Sequence, residues 1–289
     1  MQHVVTSPHA PFDSASGALE CHQVLAWQDN LVWLIVDKAS RRAAAVDGPE
    51  AKGVLEHCEA HGLNLTTILN THTHPDHIGI NQDLDDRGLL ASMRVVGSKN
   101  PALPIPGQTE KVGDTDTFEL FGQTVQVFLT EGHQNGHVSY LVDGLLFCGD
   151  TMFGAGCGYL FDGPAEKMYA SLERLAALPP ETKVCCAHEY TQDNLRFAFS
   201  VDGDNPALAE RIRRDWATRD AGGCTIPSTI GLERETNPFL RTSSEQILAS
   251  VRAAQPERDF SNAAQVFAAT RALKDAKGYK TIEDTTLLG

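Results

Sequence analysis

The sequence predicts an α+β protein in two parts, and two observations carry that expectation. Up to about residue 190, apolar runs of strand length alternate with turn residues and a few helical stretches, whereas beyond Tyr190 strand patterns stop and helical segments follow one another. A chain of 289 residues with 42% apolar and 21% charged composition can bury one large core and a smaller satellite. The expected division is an N-terminal extension over residues 1–20, an α/β domain over 21–190 and a helical domain over 191–289.

Residues 1–20 mix Ser, Pro, Gly and Ala without periodicity and read as a loosely packed lead-in. Residues 24–27, 31–36 and 43–46 are apolar runs separated by polar turns, as in a strand meander. A helix is expected over 49–62, with Pro near its start and Gly at its end, then a strand over 66–70, a short helix over 80–86 and a strand over 93–97. Segments 117–120 and 124–129 form one expected hairpin. Segments 138–142 and 145–148, around Asp143-Gly144, form another with a stronger turn signal. A helix over 164–178 and a strand over 183–187 complete the first part. Helices are expected over 191–201, 206–220, 243–254 and 261–277, the third opened by Ser with Gln at the capping-box position.

A formal charge of −14, with 24 Lys and Arg against 38 Asp and Glu and no basic run, excludes a nucleic-acid surface. No stretch is apolar for the roughly 18 residues of a membrane span, and the first twenty residues lack a hydrophobic signal core, so a cytoplasmic location is expected. Seven cysteines without C-x-x-C spacing, in a chain large enough to need no staples, are expected as reduced thiols. Cys157, between two glycines, reads as a small buried thiol.

Thr71-His72-Thr73-His74-Pro75-Asp76-His77 places four potential metal ligands in six residues, directly after an apolar strand. Adjacent imidazoles repel when protonated, whereas a divalent cation turns them into donors at neutral pH. His133, Asp150 and His188 share that context, each following an apolar run, and strands of one sheet present such ends along a common edge. Histidines 3, 9, 22, 57 and 61 lack it and are expected on the tail or on strand and helix surfaces.

The run 71–77 matches the T-H-x-H-x-D-H signature of the metallo-β-lactamase superfamily, and His133, Asp150 and His188 match its other ligand motifs. Gly149-Asp150-Thr151-Met152-Phe153, Ala155-Gly156-Cys157-Gly158 and His188-Glu189-Tyr190-Thr191 resemble the glyoxalase II, or hydroxyacylglutathione hydrolase, family more narrowly. The resemblance runs from about Asp29 to Lys274. It implies an αββα sandwich followed by a smaller all-α domain, and hydrolysis of S-(2-hydroxyacyl)glutathione, typically S-D-lactoylglutathione, as the second step of methylglyoxal detoxification. It also implies that His72, His74 and His133 hold one metal, that Asp76, His77 and His188 hold a second, and that Asp150 bridges them, with Asp76 and Asp150 counted as catalytic. Zn is the expected metal, with Fe or Mn as alternatives, since the ligand types do not select among them. A water between two cations about 3.5 Å apart, its pKa lowered from 15.7 to about 7, is the implied source of hydroxide.

Asp47 matches the family's strand-terminal Asp and is expected to hold a ligating histidine by its other ring nitrogen. His137 matches a recurrent family position and is expected to hydrogen bond rather than ligate. Tyr190, Arg271 and Lys274 match positions that contact glutathione, although an Arg and a Lys three apart on a late helix also read as a solvated face. Tyr159 stands where the family usually has Lys or Arg, and Phe161 where it often has Tyr, so one substrate-binding cation is replaced by a hydroxyl. A glutathione thioester is the implied partner, and a monomer is expected. Two alternatives stay open: a persulfide dioxygenase with one iron at His72, His133 and Asp150, and a metal-binding scaffold whose pocket has drifted.

Overall fold

The computed structural model describes residues 4–289; residues 1–3, and the expectation for His3, lie outside the described residues. The first sheet contains β1 (Phe12–Asp13), β2 (Leu19–Ala26), β3 (Asn30–Asp37), β4 (Arg42–Val46), β5 (Asn64–Leu69), β6 (Arg94–Ser98) and β7 (Glu110–Val112) in that spatial order. β1–β4 are antiparallel and β4–β7 parallel. The second sheet is built from β8 (Thr117–Leu120), β9 (Gln123–Leu129), β10 (Val138–Val142), β11 (Leu145–Gly149), β14 (Lys183–Cys186) and β15 (Ser228–Thr229), while β12 (Met152–Phe153) and β13 (Gly156–Cys157) make a small separate hairpin.

Strand alternation decides the layers. In β3, Leu31, Trp33 and Ile35 pack between the sheets with Phe118, Val125, Val127 and Tyr140 of the second sheet. Val32, Leu34 and Val36 face the other way, against Val54 and Cys58 of α1 (Lys52–His61) and Ile80 and Leu84 of α2 (Pro75–Asp86). A strand covered on both faces must be apolar throughout, which is why 31–36 carries no polar alternation.

α3 (Ala165–Ala176) adds Met168, Leu172 and Leu175 to the main core. The helical part follows as α4 (Thr191–Asp202), α5 (Pro206–Asp220), α6 (Ile230–Thr236), α7 (Glu245–Ala254), α8 (Ala263–Asp275) and α9 (Asp284–Leu288). No described helix is long and apolar enough to cross a membrane. Buried charges lock this part to the sandwich. Arg211 donates to Glu233 at 2.7 Å, and the other Glu233 oxygen accepts from the Ala155 backbone at 2.8 Å. Removing either partner would strand a buried charge, at a cost of about 3–5 kcal/mol.

Several expectations change. Residues 4–20 are tied down rather than loose: Phe12 and Asp13 pair with Cys21 and Glu20, Val5 is buried, and Asp143 accepts from Ser14 and Ser16. α2 begins at Pro75, not near Ile80, because proline fits the first helical position, where its missing N–H costs nothing. The helix expected from 243 starts after Ser244, which caps the Ile247 amide, and Gln246 bonds the Asp204 amide instead of closing a box. The complete capping box is Asn262 with Gln265 at α8. β7, the β12–β13 hairpin, β15 and α6 were not foreseen, each being too short to show a period.

Candidate metal centre and substrate pocket

The candidate ligands gather where strands of both sheets end. After β5, Pro75 forces His74 into an extended conformation (ψ 151°), so His72 and His74, two apart, project to the same side while Thr73 turns away to Gln134. His72 Nε2 then lies 3.0 Å from His74 Nδ1, and His133, from the loop after β9, brings Nε2 to 3.0 Å from that same nitrogen. Asp76 and His77 occupy the first turn of α2, facing His188 from the loop after β14: Asp76 Oδ2 is 3.5 Å from His77 Nε2 and 3.3 Å from His188 Nε2. Each triad therefore draws residues from both sheets.

Asp150, following β11, stands between the triads. Its Oδ1 lies 3.5 Å from His77 Nε2 and 3.4 Å from His188 Nε2, and its Oδ2 lies 3.4 Å from His133 Nε2. His77 Nε2 and Asp150 Oδ1 are buried without a hydrogen-bond partner, an arrangement that costs free energy unless a cation fills the gap. The donors His72, His74 and His133, and separately Asp76, His77 and His188, converge closely enough to hold a metal ion each. Asp47, His72 and His77 also converge, but both Asp47 oxygens are already engaged by Thr71.

The electrostatics agree with that use. Burial, then neighbouring imidazoles, hold His72 well below its ordinary pKa, leaving a neutral donor. Burial opposes ionisation of Asp150, yet His188, His77 and His133 carry its carboxyl below the usual range. Burial also opposes protonation of His188, but Asp150 and Asp29 raise it to about 10, so this end of the site favours positive charge.

A second ring of contacts orients these side chains. His77 Nδ1 lies 3.0 Å from Asp47 Oδ2, and His188 Nδ1 lies 2.9 Å from Asp29 Oδ1. Asn30 donates to Asp76 at 3.1 Å, and the Tyr159 carbonyl lies 2.8 Å from His133 Nδ1. His137 is fully buried, stacks on His72 and accepts from the Asp150 amide at 3.2 Å, so it braces the site. Gly149, at φ +46°, passes so close to Thr71 that a Cβ would meet its hydroxyl at 2.3 Å. Asp29 and Asn30 were missed because a polar turn signals only a turn.

A cavity of about 550 Å³ opens beside the triads, its lining including Tyr159, Tyr190, Asp193, Arg271, Lys274 and Lys277. Tyr190 stacks flat on His188, with ring centroids 4.9 Å apart, which joins cavity and metal centre. Arg271 and Lys274 do not lie on a solvated face: they are 5% and 8% exposed. Arg271 donates to Asp275 at 2.6 Å and to the Cys157 carbonyl at 3.2 Å, and Lys274 donates to Asp193 at 3.1 Å. Burial, then Arg271, lower the Lys274 ammonium to about 8, against the opposing pull of Asp193. Tyr159 is half exposed at the rim, and Phe161 meets His74 and His133 edge-on. Cys157 is buried, and burial raises its thiol, in keeping with the small buried thiol expected of it. Glu189 is not a ligand; it accepts from the Thr225 amide at 2.6 Å and fastens the helical part.

Two stacked sheets with helices outside, and clusters of His and Asp side chains gathered near the ends of strands from both sheets, fit the metallo-β-lactamase class, and residues 48–188 match the metallo-beta-lactamase superfamily model. Residues 189–277 match the hydroxyacylglutathione hydrolase C-terminus. A hydroxyacylglutathione hydrolase of Gloeobacter violaceus is 45% identical over 256 residues, covering 88% of this chain and 98% of the relative. One of Aliivibrio salmonicida is 46% identical over 250 residues, covering 86% and 96%. The chain belongs to the hydroxyacylglutathione hydrolase family, glyoxalase II, of that superfamily. Among solved structures, ETHE1 from Myxococcus xanthus shares the fold, with a TM-score of 0.59 at 24% identity over 89% of this chain and 98% of that one.

Proposed function

We propose that the chain hydrolyses the thioester of S-(2-hydroxyacyl)glutathione, typically S-D-lactoylglutathione, to a 2-hydroxy acid and glutathione, using two divalent metal ions, with Zn the first expectation. The observation that carries this reading is Asp150, whose two oxygens face different triads, next to a cavity holding buried cations. His72, His74 and His133 would hold one ion and Asp76, His77 and His188 the other, with Asp150 shared. When bound, such a pair supplies Lewis acidity that lowers the pKa of a water to about 7 and polarises the thioester carbonyl.

The chain's own residues do the rest. Asp76 and Asp150 are the two anionic donors among seven, so they offset only part of the charge of two divalent ions and leave the centre electrophilic. Asp29, Asp47 and the Tyr159 carbonyl fix which nitrogen His188, His77 and His133 point inward. Arg271 and Lys274 would take a glutathione carboxylate, exchanging contacts with Asp275 and Asp193. Tyr190 would pack the thioester beside His188. The departing thiolate needs no proton from the chain, since a thiol of pKa near 8.5 leaves as a stable anion.

The test is hydrolysis of S-D-lactoylglutathione by protein whose metal content is measured on the same sample. Turnover with two ions per chain is expected. Fully metallated protein that cleaves no acylglutathione, or protein that takes up oxygen with glutathione persulfide while holding one iron, would overturn the reading.

A further inference from the structure

Three of the histidines expected on surfaces meet on the outer face of the first sheet. Glu20, His22 and Val24 alternate along β2 toward α1, and His57 and His61 stand four apart on α1, on the same helical face. His22 Nδ1 lies 2.9 Å from His57 Nε2, and the three rings pack within 4.2–5.6 Å centroid to centroid. The other nitrogen of His22, Nε2, is held at 2.7 Å by Glu20 Oε2.

One imidazole pair and its carboxylate support repeat contacts of the catalytic centre, although the donors of His22, His57 and His61 do not converge as those of the catalytic triads do. Paired imidazole nitrogens there approach to 3.0 Å, and a carboxylate grips the far nitrogen of His188 at 2.9 Å. Glu20 plays the part of Asp29: it fixes His22 so that Nδ1 faces His57. Burial, then His61 and His22, keep His57 neutral at pH 7, with a pKa of about 4. His22 is buried, His57 half-buried and His61 exposed, so the group has a closed inner end and a solvent door.

We propose that His22, His57 and His61 form a third metal site that clips α1 to β2, His61 closing on the ion by rotating its side chain. Imidazole donors without a ligating carboxylate suit Zn²⁺, Ni²⁺ or Cu²⁺ and disfavour Mg²⁺ and Ca²⁺. The site shares no residue with the hydrolytic centre. Its role is structural, since an ion bound to the folded state alone stabilises that state.

The test is equilibrium dialysis of the holoenzyme against micromolar Zn²⁺, with metal per chain counted before and after. Wild type should gain one ion beyond those of the catalytic centre, and its thermal midpoint should rise. His57→Gln with His61→Gln should lose that ion and that rise while kcat and KM stay unchanged. Glu20→Gln should weaken the extra ion about 10–100-fold. Should the double variant misfold, His61→Gln alone, at an exposed position, should still weaken the ion at least about tenfold. An equal ion count in wild type and in whichever of these variants folds, or no uptake by wild type, would overturn the proposal.

Discussion

The candidate metal centre and the cavity beside it differ in how they satisfy their charges. At the metal centre His77 Nε2 and Asp150 Oδ1 are left buried and unpartnered, whereas in the pocket the cations Arg271 and Lys274 are already matched by Asp275 and by Asp193 Oδ2, and it is only the second Asp193 oxygen that lacks a hydrogen bond. An unsatisfied buried group must be met by something from outside the chain; a satisfied one can wait. The first arrangement suits a resident ion, the second a ligand that comes and goes at every turnover.

The comparison breaks most easily at Asp150. Asp150→Asn keeps the shape but removes the shared negative charge, and kcat for S-D-lactoylglutathione should fall by on the order of 10³-fold; a loss within tenfold would detach Asp150 from both triads. Asp29→Asn leaves all donors in place, so metal affinity should drop about 10–100-fold and excess metal should restore turnover, as metal titration with activity will show. In the pocket, Arg271→Ala should raise KM by roughly 30-fold with kcat within about threefold, since binding shared by substrate and transition state is lost. An unchanged KM would make Arg271 a brace for Cys157 and Asp275.

Acidity sharpens the contrast further. Lys274, lowered from its ordinary value to about 8, is cationic below that pH and neutral above it. Carboxylate binding is therefore strong below about pH 8, and kcat/KM should decline up to about tenfold as pH rises through it, with no matching limb in kcat. Lys274→Arg, whose guanidinium stays charged, should abolish the decline. The smallest effect belongs to the rim: Tyr159→Lys should lower KM about threefold, because a half-exposed cation is screened by water.

The clustering of candidate donors was legible in the sequence because His72, His133, Asp150 and His188 each follow an apolar run, so local pattern and chemistry coincide there. Tyr190, Arg271 and Lys274 were legible only through resemblance, and their partners Asp193 and Asp275 not at all. Burial of a charge is set by what the fold lays over it: Lys274 meets Asp193 from 81 residues away. Asp29 and His188, 159 residues apart, pair across a similar gap. The H-x-x-x-H spacing of His57 and His61 was visible, but its meaning needed His22, which only the packing of α1 on β2 supplies.

Each triad takes donors from both sheets, so the ions would sit across the seam of the sandwich. Filling the site is then also a mechanical event: the two layers are riveted at the edge where their strands end. Loss of metal should show first as faster amide exchange along β5 and β14, before any change in helical content.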